Sequence, residues 1–301
     1  MPLLTRFSAA SRAVLNYVPR TTTTAAIFGS RGKTTTTTSH HFAAGPDFEQ
    51  TKASRPDFNP SEPIKYIKPP NGAWQKGDGA SDGGASLSAK HVAIDPYAPG
   101  RSIASNYKLL VSGIVPRPIA FISTRSKDGT SVNLAPFSYF QVINHDPPLF
   151  TVSFVGSIAT AKDTLKNLLE TKECVINVIS EHFMDAANAT AVNAPYGVSE
   201  FGLAGLHQAE SSTVAAPRVR ESVFSIEGKL FETKEFESRA KPGKKTSVLA
   251  IIEGTRFWVR EDAINEGQDL IDLEVLRPVS RLGGIRYGRT TEVVELERPA
   301  F

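Results

Sequence analysis

The chain has 301 residues, room for one domain of about 200 residues with extra sequence, or for two small ones. Its 40% hydrophobic and 22% charged residues suit a globular domain, and a net charge of +3 with no basic stripe on the folded part argues against a nucleic-acid binder. Cys174 is the single cysteine, which excludes an intrachain disulfide and a cysteine-based zinc site, and no apolar run approaches the ~18 residues of a membrane span.

Residues 1–46 carry Arg6, Arg12, Arg20, Arg31 and Lys33 and no acid, with threonine tracts at 21–24 and 34–38. Spaced arginines, hydroxyl richness and acid depletion are the composition of a mitochondrial transit peptide, so a matrix location is expected. A disordered tail with no targeting role, in a cytoplasmic protein, is the plainer alternative. Residues 47–87 read as a linker or arm: prolines punctuate the first half and glycines the second, with few apolar residues to offset ordering entropy. Tyr66, Ile67 and Trp74 are candidates to pack it onto the domain. Gly77-Asp78-Gly79 is a decoy for a dinucleotide fingerprint: Asp82 stands where the third glycine should be, and no strand precedes it.

The folded domain is expected over 88–301. Ser105–Ser112 predicts a short helix, which Pro116-Arg117-Pro118 stops. Pro118–Arg125 predicts an apolar strand, Asp128-Gly129 a hairpin turn, and Val132–Ile143 extended chain with a bend or edge at Pro136. Asp146-Pro147-Pro148 is a turn before the strand Leu149–Phe154. In 161–170 the stripe Ala161, Leu165, Leu168, Leu169 predicts a helix, with Thr160 and Asp163 as its capping pair. Glu173–Ile179 returns as a strand, and Ser180 is placed to cap a helix running to Ala191. Val223–Glu232 alternates with Phe224, Ile226 and Leu230 on one face. Ser247–Arg260 is a long strand with a bulge or bend at Gly254. The sum is a mainly β domain, a small barrel with peripheral helices.

Chemistry-bearing motifs are sparse. The six histidines form no metal-binding array, and neither a Gly-x-Ser-x-Gly elbow nor a P-loop is present. Two segments remain. Asn133 through Phe140 places Asn, Ser and backbone amides beside aromatic rings, a surface able to hold a flat polar heterocycle by its edge. An ordinary bent strand with core aromatics explains the same residues. Ser157, Thr160, Lys162, Asp163 and Thr164 gather hydroxyls and a lysine at a helix start, where free amides and the dipole favour a phosphate. A routine capped helix is again the simpler account, and Asp163 counts against an anion.

Taken in order, these segments resemble the flavin reductase-like family and, within it, its flavoredoxin-like branch. The resemblance runs through His91–Pro96, Val115–Ala120 with Ser123-Thr124, Asn133–Phe140 and Asp146–Pro148. It continues through Lys162–Leu165, Asn177–Glu181, Asn188–Thr190, Gly197–Phe201, and Arg281–Gly284 with Tyr287. It implies an FMN-binding split β-barrel, a homodimer with the cofactor near its interface, and NAD(P)H as co-substrate. It implies too that electrons pass on to an acceptor or partner. By that resemblance Asn133, Ala135, Phe137 and Ser138 lie along the flavin ring and ribityl chain, and Lys162, Asp163 and Thr164 at its phosphate. Arg117, Ser123 and Thr124 would be neighbours, and Asn188, Thr190 and the Gly283-Gly284 turn further contacts. The chemistry would be hydride transfer from nicotinamide to FMN, with position and electrostatics supplied by the protein. A non-catalytic FMN-binding protein or flavoredoxin-type electron carrier, and an enzyme resembling pyridoxamine-phosphate oxidase, remain alternatives.

Overall fold

The structure is a computed structural model, described here over residues 47–299; the targeting expectation for 1–46 lies outside the described residues. The elements in chain order begin with α1 (Phe48–Ala53), β1 (Lys65–Ile67), α2 (Ile103–Gly113), β2 (Ala120–Arg125), β3 (Val132–Phe137), β4 (Phe140–His145) and β5 (Pro148–Val155). Next come α3 (Asp163–Thr171), β6 (Glu173–Asn177), α4 (Met184–Ala189), α5 (Glu200–Ala204), β7 (Gln208–Ala209) and β8 (Arg218–Val219). The chain continues through β9 (Phe224–Glu237), β10 (Lys245–Val259), α6 (Leu273–Leu276), β11 (Val279–Arg281), β12 (Tyr287–Arg289) and β13 (Glu292–Val294).

Seven strands form one antiparallel sheet in the order β3-β2-β6-β9-β10-β5-β4. Phe137, ending β3, packs edge-on against Phe154 of β5 with 4.8 Å between ring centroids, so the sheet curls on itself as a split β-barrel. Ala120, Ile122, Val152, Ile176, Ala250 and Ile252 fill one side of it, and Leu165 and Leu168 of α3 close that core. The opposite side of β2 and β3 offers Ile119, Phe121, Val132 and Leu134 to Ile179, Phe183, Ala187 and Phe201, a second core under α4 and α5. Among the described residues no helix is long and apolar enough to cross a membrane.

Several expectations change in detail. The Thr160–Asp163 pair does not cap α3: Ser157 Oγ accepts the Thr160 amide at 3.2 Å, closing a 3₁₀ turn over 158–160. Ala161 is then extended, and the helix starts at Asp163 with no side-chain cap. The extended run 132–143 is two strands, broken at Ser138-Tyr139, and Pro136 sits within β3, a sheet-edge strand, where a missing amide is tolerated. Ser180 caps nothing; a 3₁₀ turn, Glu181–Phe183, precedes the shorter α4. Gly254 does mark a bulge, since the β9–β10 register slips between it and Arg256.

The arm docks by its backbone. Strand β1 pairs in parallel with β13, and Ile64 is buried while Tyr66, Ile67 and Trp74 stay exposed. Buried Glu181 binds Arg277 and Arg289, and these donate onward to the carbonyls of Glu62 and Asn59.

Candidate functional site

The site grows from the pairing of β3 with β2. The register sets Asn133 opposite Thr124, Ala135 opposite Ile122 and Phe137 opposite Ala120. Strand alternation therefore puts Asn133, Ala135, Phe137 and Thr124 on one face, the face α3 covers. Asn133, buried, donates from Nδ2 to Thr164 Oγ1 at 2.6 Å, and Thr124 Oγ1 accepts from Asn167 Nδ2 at 3.2 Å. A hydroxyl that accepts from Asn133 keeps its own proton to donate.

The start of α3 has the chemistry of an anion seat. Without a side-chain cap its first amides are unspent on side chains, and they lie at the positive end of the helix dipole. Lys162 stands at the N-cap with Nζ 2.9 Å from Asn193 Oδ1, a neutral acceptor that leaves its charge intact. Asp163 opens the helix beside it. Burial raises the pKa of Glu200, and the charge of Asp163 adds to that rise against the hydrogen bond from the Leu134 amide. That amide points away from β2, so the alternation of the antiparallel ladder turns those of Ala135 and Phe137 toward β2. Pro136 has none, and Ser138 is the next amide on the outward side. The set fits a flavin phosphate, with Lys162, Thr164 and the helix amides to hold it and the Asn133–Ser138 face to lie along the rest.

Other residues expected at the site are committed elsewhere. Arg117 is buried and donates to the carbonyls of Val111 (2.6 Å), Ile114 (2.7 Å) and Leu282 (3.1 Å), reaching Ser138 Oγ only at 3.5 Å. It ties the end of α2 to the corner after β3. Ser123 faces the opposite layer and gives its hydroxyl to Pro217 O at 2.5 Å. Thr190 bonds Ala187 O at 2.8 Å, and Asn188 accepts from the Tyr287 hydroxyl at 2.8 Å, both beside the second core. At Gly283 a Cβ would meet Ser112 Cα at 3.1 Å, so this glycine serves close packing under α2. Two concavities of about 240 and 360 Å³ flank Arg125 and Ala215, and none of the candidate residues lines them.

The sequence reading missed Asn167, Asn193, Tyr196 and Glu200. A signal for the first existed: Thr164, Asn167 and Thr171 recur at helical spacing beside the apolar stripe of α3.

A curled antiparallel sheet with a polar helix start laid against its edge strand defines the split-barrel class of fold. The chain belongs to the flavin reductase-like domain family, whose model matches residues 112–274. Component B of a nitrilotriacetate monooxygenase from Bacillus cereus is 34% identical, with a TM-score of 0.64 over 69% of this chain and 100% of that one. The 2-nitrobenzoate 2-nitroreductase of Pseudomonas fluorescens is 28% identical, with a TM-score of 0.61 over 70% of this chain and 98% of its own. A Shewanella frigidimarina protein with a split barrel domain shares the fold at 22% identity and a TM-score of 0.54, over 66% of this chain and 93% of that one. Membership makes the chain a flavin-related oxidoreductase at family level and implies a flavin cofactor.

Proposed function

We propose that the chain is an FMN-dependent NAD(P)H:flavin reductase-type enzyme, active as a homodimer in the mitochondrial matrix, that passes electrons to a separate acceptor. The observation that carries this is the uncapped start of α3, where Lys162 and the Asn133–Thr164 pair adjoin the Asn133–Ser138 face. One lysine, one hydroxyl and one helix start suit a single phosphate, which favours FMN over a dinucleotide. The bound flavin supplies a two-electron acceptor for hydride from a nicotinamide. Lys162 neutralises the phosphate, the Asn133 side chain fixes the Thr164 hydroxyl, and Phe137 with Phe154 closes the apolar side. Arg117 holds the corner that carries Ser138.

The exposed apolar residues at the end of α2 (Leu110, and Ile114 just beyond it) and of edge strand β4 (Val142, Ile143) support the dimer. A relative that is one component of a monooxygenase supports a protein acceptor. The relative named as a nitroreductase favours a second reading, reduction of a nitroaromatic at the same flavin. The basic, acid-free residues 1–46 support import, which a fusion of that segment to a reporter tests by its location.

The deciding experiment is the visible spectrum of the purified protein with FMN, followed by anaerobic titration with NADH and NADPH. Bleaching of the flavin supports the enzyme. Bound FMN that no nicotinamide reduces points to a carrier, and a colourless protein indifferent to FMN ends the proposal. Lys162→Ala is expected to weaken FMN affinity more than it slows hydride transfer in the loaded enzyme. Wild-type affinity in that variant refutes the phosphate assignment.

A further inference from the structure

We infer that the loop over residues 191–199, between α4 and α5, is a clamp on the phosphate side of the site, with Asn193 and Tyr196 as its positioning residues. The inference rests on the reading of Lys162 as the phosphate-side cation. Both ends of the loop are pinned: Thr190 is buried and bonded to Ala187 O, and Glu200 is buried and bonded to the Leu134 amide. The stretch between has little apolar anchorage, since Val192, Tyr196 and Val198 are all exposed. Three polar contacts to α3 hold it instead. Asn193 Oδ1 takes Lys162 Nζ at 2.9 Å, the Tyr196 hydroxyl donates to Asn167 Oδ1 at 3.1 Å, and Lys166 Nζ lies 3.9 Å from the centre of the Tyr196 ring.

Each loop partner is neutral. An amide oxygen and an aromatic face orient the two ammonium groups without cancelling their charge, so the helix start keeps its pull on an anion. An acid at either position would form an ion pair and spend that charge. Asn167 carries the contact inward. It is wholly buried, and while its Oδ1 accepts from Tyr196 its Nδ2 donates to Thr124 on β2, beneath the residues that face the site. Loop, helix and strand are thereby joined through one side chain, and the Lys162 ammonium is held near the first turn rather than sweeping through solvent.

The test compares affinities of the full-length protein for FMN and for riboflavin, which lacks the phosphate, in wild type, Tyr196→Phe and Asn193→Asp. Both positions are exposed and Tyr196→Phe keeps the ring over Lys166, but it leaves buried Asn167 Oδ1 without that donor, so a melt lowered by about 2–4 °C is expected, with the fold retained. The wild type is expected to prefer FMN. Tyr196→Phe should shrink that preference about five-fold, the weight of one neutral hydrogen bond, with riboflavin affinity unchanged. Asn193→Asp should shrink it further by pairing with Lys162. If the wild type discriminates but both variants discriminate equally well, the clamp is overturned while the phosphate reading stands. Equal loss of both ligands also overturns it, by reducing the loop to a structural part. A wild type that binds both ligands alike overturns the phosphate reading, and the clamp with it.

Discussion

Replacing Glu227 by glutamine should remove about 3 kcal/mol of stability at neutral pH and very little in acid. This carboxylate is wholly buried in β9 and collects the amides of Ser212 (2.8 Å) and Thr213 (2.5 Å), the Thr213 hydroxyl (2.5 Å) and the Trp258 indole N–H (2.5 Å). Burial pushes its pKa up, but the donors from Thr213, Ser212 and Trp258 outweigh burial and hold it at about 2, against an ordinary 4.5. A difference of that size is worth about 3 kcal/mol to the folded, ionised form. Because the folded value lies below the unfolded one, the contribution is complete above pH 4.5 and drains away as the pH falls toward 2. Less than half of it remains near about pH 3. Glu227→Gln keeps the shape but turns an NH₂ group toward donors, so its deficit should follow the lost ionisation. Urea unfolding of wild type and variant at neutral pH and near about pH 3 measures the gap at both ends. A gap that stays constant, or that is absent at neutral pH, refutes the assignment of a buried, ionised carboxylate holding the 211–216 loop.

Ser123→Ala strands the carbonyl of Pro217 and should cost about 1–2 kcal/mol in chemical denaturation while leaving flavin affinity untouched; weaker flavin binding at unchanged stability would put Ser123 in the site after all. Burial works to raise the pKa of Glu181, but the hydrogen bonds and charges of Arg289 and Arg277 prevail and hold it below the usual range. Its support of the arm is therefore lost as the pH falls through that lowered value. Glu181→Gln should cost about 2 kcal/mol, or about 4–8 °C in melting temperature. Protease cleavage in 47–67 should quicken in step, and an unchanged cleavage pattern counts against the latch formed through Asn59 and Glu62.

What the sequence revealed and what it hid follow from periodicity. The stripe Leu165 and Leu168 is legible because α3 buries one face only, and the face shared by Asn133, Ala135 and Phe137 because β3 alternates. Glu227 misleads for the same reason: alternation assigns it to solvent, but residues 211–216 cover that side of β9, and a contact between distant segments leaves no local pattern. Asn193 and Tyr196 are hidden likewise, since their partners, Lys162 at the cap of α3 and Asn167 within it, lie 31 and 29 residues away in sequence. The sharpest case is the pair Ser123 and Thr124. Strand β2 is buried on both faces, so Ala120 to Thr124 show no polar side from which to read a phase. Two adjacent hydroxyls then look interchangeable in the sequence. The register against β3 decides between them: Thr124 is set beside Asn133 and under Asn167, and Ser123 is turned to Pro217 in the other layer. A slip of one residue in that pairing would exchange their places, so the composition of the site is fixed by strand register as much as by residue type.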